Sequence, residues 1–273
     1  GFFPSIIKIL SFLPQRRQTA LFSATILPGV AALAGRFTRD AERLSLSSDI
    51  LHVDTVDHVY YVVDGMQKDR TLLKIIEMEN PEAALVFCNT KREVEYLGTF
   101  LKNFGYDGDF LSGDLTQAER DKVMNRIRQG RLRFLVATDV AATGIAIRDL
   151  SHVILYNLPQ AHEHYIHRAG RTGRAGGGGL VISLVTLLEE MELKDRARRF
   201  SLALLRKEPP TDEELDRKVA ERLRVMLQER YRGLSRLERE RLGRFLPLAK
   251  RLSESGEALE VVAMLFEDRK SVV

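Results

Sequence analysis

Phe134-Leu-Val-Ala137 is four apolar residues in a row, closed at once by the polar pair Thr138-Asp139. The run does not alternate. A strand apolar on every position must be covered on both faces, as in a parallel sheet flanked by helices. Working outward, the same unit recurs. His58–Val63, Ala84–Cys88, Asp109–Leu111, His152–Tyr156 and Leu180–Leu184 read as further strands. Lys68–Met78, stopped by Asn80-Pro81, Lys91–Asn103, closed by Phe104-Gly105, and Thr116–Arg128 read as the helices between them. The third helix has Thr116 as N-cap, Glu119 as its capping-box partner and Gly130 past its end. Strands separated by helices of this length predict βαβ units and a doubly wound parallel sheet. Ligands of such sheets gather at the carboxyl ends of the strands.

Upstream, Thr19–Phe22 reads as a short strand, Pro28 as lying near the start of a helix, and Arg43–Ser47 as one more strand. Downstream of about Lys207 the composition shifts. Thr211 is an N-cap followed by acids, and Leu215–Glu229 and Leu234–Leu252 read as charged amphipathic helices, with another beginning at Ala258–Phe266. Helices of this kind bury little alone and need something to pack on. The 273 residues are 44% hydrophobic and 29% charged with a net charge of +4, as in a globular chain with a mild bias towards polyanions. One cysteine excludes an internal disulfide, and Cys88 sits in an apolar run that favours burial over reactivity. No apolar run reaches the length of a membrane span.

His167-Arg-Ala-Gly-Arg-Thr-Gly-Arg174 concentrates four cationic or potentially cationic side chains in eight residues. Guanidinium groups make paired hydrogen bonds to phosphate oxygens, and Arg171 and Arg174 would share a direction on one helical turn. His162, His164 and His167 have only Glu163 for company, so a metal site is not expected.

This stretch resembles motif VI of the DEAD-box RNA helicases. Its neighbours agree in order. Ser23-Ala24-Thr25 resembles motif III, Leu85–Lys91 motif IV, Ser112-Gly113-Asp114 with Gln117–Arg120 the next block, and Ala137–Ile147 motif V. The resemblance implies RecA-like domains that close on ATP and RNA. Residues 1–46 would be the end of a first RecA-like domain, 47–57 a linker, 58–206 the second domain, and 207–267 a helical extension. That extension resembles the cold-shock, dimer-forming branch, which implies a homodimer; packing on the parent domain is the alternative. The phosphate-binding Gly-Lys-[Ser/Thr] loop and the acidic Mg²⁺ box are expected upstream of Gly1, so the chain reads as a C-terminal fragment that does not hydrolyse ATP alone. Asp268–Val273 reads as a foreign read-through tail.

The resemblance also implies roles. Arg171 and Arg174 reach the ATP phosphates, with Gly144 and Ala146 at the nucleotide. His167 joins the catalytic set and couples the domains through Ser23 and Thr25, with Gln117. Thr90, Gly113, Arg120, Thr138 and Thr143 form the RNA track. Hydroxyls, an arginine and exposed N–H groups suit a sugar–phosphate backbone, and no aromatic cluster interleaves with them. Mg²⁺ ligands belong to the missing domain, and a cytoplasmic location is expected. The chain departs from the family where Thr143 replaces an arginine and Ala146 an aspartate. Each lost charge-assisted bond removes about 1.5–3 kcal/mol. A weakened helicase is expected, with a non-catalytic RNA-binding scaffold as the alternative and a DNA helicase of the same superfamily as a third.

Overall fold

The computed structural model describes residues 3–22, 28–44, 56–142, 150–173, 178–254, 260 and 263–264. They fall into two compact units, Gly1–Leu51 and His52–Val273.

The first unit holds two helices, α1 (Phe3–Ser11) and α2 (Pro28–Phe37). Proline opens α2 at a position where no N–H is needed. Thr19–Phe22, expected as a strand, has no regular structure, and neither do Arg43 and Leu44. A strand exists only through a ladder partner, and the described residues of this unit contain none. The rest of the expected Arg43–Ser47 strand lies outside the described residues, as does most of the expected linker.

The second unit is built on seven parallel strands: β1 (Val56–Val62), β2 (Ala84–Phe87), β3 (Gly108–Leu111), β4 (Phe134–Ala137), β5 (His152–Leu155), β6 (Gly179–Val185) and β7 (Leu204–Lys207). Their spatial order is β3-β4-β2-β5-β6-β1-β7. Every pairing is parallel. β1 starts inside the stretch read as linker, because Val56 and Asp57 pair with Gly179 and Leu180.

Helices cover both faces, as the continuous apolar runs require. On one face α3 (Lys68–Glu79), which follows a 3-10 turn at Gly65–Gln67, and α4 (Lys91–Asn103) pack Leu72, Ile75, Val94 and Leu97 against Val59, Tyr61, Val86 and Ile154. On the other, α5 (Gln117–Arg128), α6 (Asp139–Ala142), α7 (His162–Ala169) and α8 (Leu187–Phe200) bring Val123, Ala141, Tyr165 and Leu193 against Tyr60, Leu85, Phe87 and Leu155. Thr90, Thr116 and Thr186 each open a helix with a complete capping box, closed by Glu93, Glu119 and Glu189. Asn80 ends α3 in the left-handed conformation ahead of Pro81.

The tail comprises α9 (Asp212–Arg232), α10 (Arg236–Gly243) and α11 (Leu246–Ser253). The single helix expected over Leu234–Leu252 is therefore two. Pro247 has no N–H to donate, so it fits the first turn of a new helix and not the middle of an old one. α9 leans on α3: Lys74 Nζ meets Asp212 Oδ1 at 2.7 Å, and Arg222 donates to the Glu77 carbonyl. None of α9 or α10 is buried. Most of the expected Ala258–Phe266 helix lies outside the described residues.

Candidate functional site

β4 and β5 flank β2 in the sheet, so the turns leaving these three strands share one edge. A single side chain ties them. Arg168 of α7 is 1% exposed, the largest fully buried side chain described. Its Nε donates to Asp139 Oδ1 at 2.7 Å and its Nη2 to Asp139 Oδ2 at 2.8 Å. Nη2 also reaches Asn89 Oδ1 at 2.9 Å, and Nη1 the Asn157 carbonyl at 2.8 Å. The guanidinium lies 5.0 Å from the centre of the Phe87 ring. Asp139 follows β4, Asn89 follows β2 and Asn157 follows β5. Asn157 extends the frame: its Oδ1 accepts from the Asn89 backbone N–H, and its Nδ2 donates to Glu93 Oε1, each at 3.1 Å. A bidentate, charge-assisted pair inside a low-dielectric site is strong and directional. The sequence pattern grouped Arg168 with the polyanion-facing cations. The structure corrects this: its donors point inward and are taken by protein oxygens.

α7 ends at Ala169, with Gly170 as C-cap. Arg171 therefore sits in a turn, and Gly173 beyond it has φ +73°, a left-handed conformation that glycine adopts freely. Arg171 thus lies beyond the helix, and its expected relation to Arg174 falls outside the described residues. The Thr172 hydroxyl donates to the Leu150 carbonyl and anchors the turn. A Cβ on Gly179, where β6 starts, would lie 2.5 Å from both Gly173 N and Thr172 Oγ1, so only glycine fits there. His167, half-buried on the last turn of α7, has its pKa lowered by burial first and then by His164 and Arg171. Ser23, Thr25, Thr143, Gly144, Ala146 and Arg174 lie outside the described residues.

The remaining expected residues form two groups on neighbouring strand ends. Thr90 caps α4, its hydroxyl donating to Glu93 Oε2 at 2.7 Å. Next to it Lys91 pairs with Asp114, and the Lys91 Cε lies 3.3 Å from where a Gly113 Cβ would stand. Second, the Thr138 hydroxyl accepts from Ala141 N at 3.3 Å, while Arg120 Nη2 donates to the Ala141 carbonyl at 2.6 Å. Gln117 Nε2 donates to Asp121 Oδ1 at 3.0 Å on the surface of α5. Asn89, Asp139 and Arg168 stand in the quoted motifs, and Asn157 follows the expected His152–Tyr156 strand. Nothing in their spacing could show that they meet. Cys88 is fully buried, and burial pushes its thiol pKa up.

A model of the helicase conserved C-terminal domain matches residues 67–176, which span all three tied turns and Arg171. The DEAD-box ATP-dependent RNA helicase CshA of Geobacillus kaustophilus is 35% identical over 96% of this chain and 55% of its own length. The crystal structure of the E. coli DEAD-box protein SrmB, bound to regulator of ribonuclease activity A, is 33% identical. It matches 58% of this chain and 93% of that one, with a TM-score of 0.52. The chain belongs to the DEAD-box family. Saccharomyces cerevisiae Dbp5 bound to RNA and ADP BeF3, a third relative, is 30% identical over 80% of this chain and 58% of its own, with a TM-score of 0.70. The doubly wound sheet is thus the RecA-like C-terminal domain of a DEAD-box protein. The chain spans about half the length of the curated relatives it matches. No helix among the described residues is long and apolar enough to cross a membrane.

Proposed function

We propose that this chain supplies the second RecA-like half of an ATP-dependent RNA helicase. ATP·Mg²⁺ closes it with a first half on RNA backbone, and Arg171 and Arg174 stabilise the phosphoryl group in transfer. The observation that carries this reading is the Arg168 frame, which makes one rigid body of the turns after β2, β4 and β5 and sets His167 and Arg171 at its edge. Transition-state charge is stabilised best by groups that need not reorganise. Thr90, Gly113, Arg120 and Thr138 line neighbouring strand ends, as a backbone-tracking RNA path would. Mg²⁺ would be held by acidic ligands of that first half. The test is RNA-stimulated ATPase of a protein carrying this chain together with a first RecA-like domain. Arg174→Ala should lower turnover by about 10³–10⁵ while leaving the circular dichroism spectrum intact. Turnover near wild type would refute the assignment.

Thr143 and Ala146 favour a second reading, a non-catalytic RNA-binding scaffold. It becomes the better account if only the Thr143→Arg/Ala146→Asp double variant turns over. We further read 207–267 as a dimerisation element. Val225, Leu227, Leu237, Phe245 and Leu246 stand exposed along it, which supports a partner surface. Sedimentation equilibrium that finds only monomer at micromolar concentration would exclude this.

A further inference from the structure

The loop that launches α7 runs Asn157-Leu158-Pro159, and its three successive carbonyls are each held by a side chain from elsewhere. Asn157 O accepts from Arg168 Nη1 at 2.8 Å and Leu158 O from Asn89 Nδ2 at 2.8 Å. Pro159 O accepts from Arg196 Nη2 at 2.7 Å. The first two donors belong to the motif-bearing segments. The third comes from α8, outside all of them.

α7 needs such an anchor. Ala161 stands at its N-cap and offers no side-chain bond, so the helix start is not fixed by its own sequence. α8 grips that start twice. Arg196 holds the Pro159 carbonyl, and Arg199, one turn on, pairs with Glu163 Oε1 in the first turn of α7 at 3.7 Å. From the sheet, His58 Nδ1 of β1 lies 3.0 Å from the Tyr165 hydroxyl.

Arg196 is an awkward choice for packing. It is 3% exposed, its Nε and Nη1 have no hydrogen-bond partner, and its nearest acid, Glu192 at 3.4 Å, stands in solvent. Unpaired buried donors are unfavourable, and an unbranched apolar side chain would fill the same space without them. What arginine adds towards α7 is the bond to Pro159; its other, longer bond goes back to the exposed Glu192 of its own helix.

We propose that Arg196 is a positioning residue for the phosphate-facing turn. By fixing the Pro159 carbonyl it sets the entry angle of α7, and through that helix the direction in which His167 and Arg171 leave its far end. The inference rests on the helicase reading above. A small misplacement of a group that acts on a transition state lowers turnover much more than binding.

The test compares Arg196→Met and Arg196→Lys in a protein carrying both RecA-like halves. R196M should melt at or above the wild-type temperature. Its kcat for RNA-stimulated ATP hydrolysis should fall about tenfold, while KM for ATP stays within about twofold. R196K, which keeps a donor on a flexible stem, should recover most of the lost kcat. Hydrogen exchange of this chain, with no nucleotide or RNA, should show faster amide exchange in the first turn of α7 for R196M and not for R196K. A kcat per folded molecule equal to wild type in R196M overturns the proposal, whether or not its stability changes. If wild type itself has no ATPase, the helicase reading falls, and the exchange experiment alone then decides whether Arg196 holds α7; unchanged exchange there overturns the proposal.

Discussion

The turns at the carboxyl edge of the sheet and the three tail helices both carry charged side chains, yet their charges do opposite work. At the sheet edge, Arg168 is drawn inside and binds the half-buried Asp139 and two other turns, so charge acts as scaffolding. In α9 and α10 no residue is buried, and the caps at Thr211 and Ser235 close on Glu214 and Glu238 three residues away. Apart from Asp212 and Arg222, which reach α3, charge there stabilises each helix locally and leaves its surface open. The difference teaches that charge density does not reveal whether a segment is frame or surface. The partners do, and the partners are distant in sequence.

The comparison breaks most visibly at Arg168. Arg168→Met takes the guanidinium away from Asp139, Asn89 Oδ1 and the Asn157 carbonyl at once, and urea titration of residues 52–273 should show a loss of about 3–5 kcal/mol. A loss under about 1 kcal/mol would mean that the frame is not held by this residue. Acid probes the same region from the side of β1. Burial lowers the His58 pKa from its usual 6.5 to about 4, against the opposing pull of Asp57. The unfolded chain takes up the proton first. The neutral form's contribution is therefore complete above about pH 6.5 and is lost as pH falls towards 4, up to about 3 kcal/mol in all. His58→Asn, which cannot titrate but can still meet the Tyr165 hydroxyl, should flatten the melting temperature across that window. An unchanged slope would place the titration elsewhere. The smallest effect belongs to the tail. Leu237, 72% exposed on α10, should tolerate Leu237→Ser within about 0.5 kcal/mol in a dilute, monomeric sample. A concentration-dependent loss would instead show that the surface has a partner.

Much of the sheet was legible because parallel strands advertise themselves. Phe134–Ala137 is covered on both faces, and its apolar run coincides with β4. Helix starts were equally clear where a threonine and a glutamate sit three apart, as at Thr116 and Glu119. α8 was not read at all, for a physical reason. Its buried positions are Glu190, Leu193, Arg196 and Ala197, while Leu187, Leu188 and Met191 are exposed, so its apolar periodicity points the wrong way. β7 escaped because an edge strand carrying Arg206 and Lys207 looks like a solvated loop until a neighbour pairs with it. Thr19–Phe22 shows the converse, an apolar run with no ladder to join among the described residues. At the site, the motif residues themselves could be found by pattern. Arg168 facing inward and Arg196 reaching Pro159 could not, since both depend on which turns the sheet order brings together.

The strand order has a consequence for how the domain is made. β1 leaves the ribosome before the other six strands, yet both its neighbours, β6 and β7, are synthesised after it, with β6 beginning only at Gly179. Until then Val59, Tyr60, Tyr61 and Val62 have no strand to pair with, although β2, β3 and β4 can already assemble. Long-range parallel pairing of this kind is slow and leaves apolar edges open to aggregation. The nascent domain is most vulnerable in the interval between the emergence of β4 and that of β6, when β1 still lacks both of the strands it pairs with.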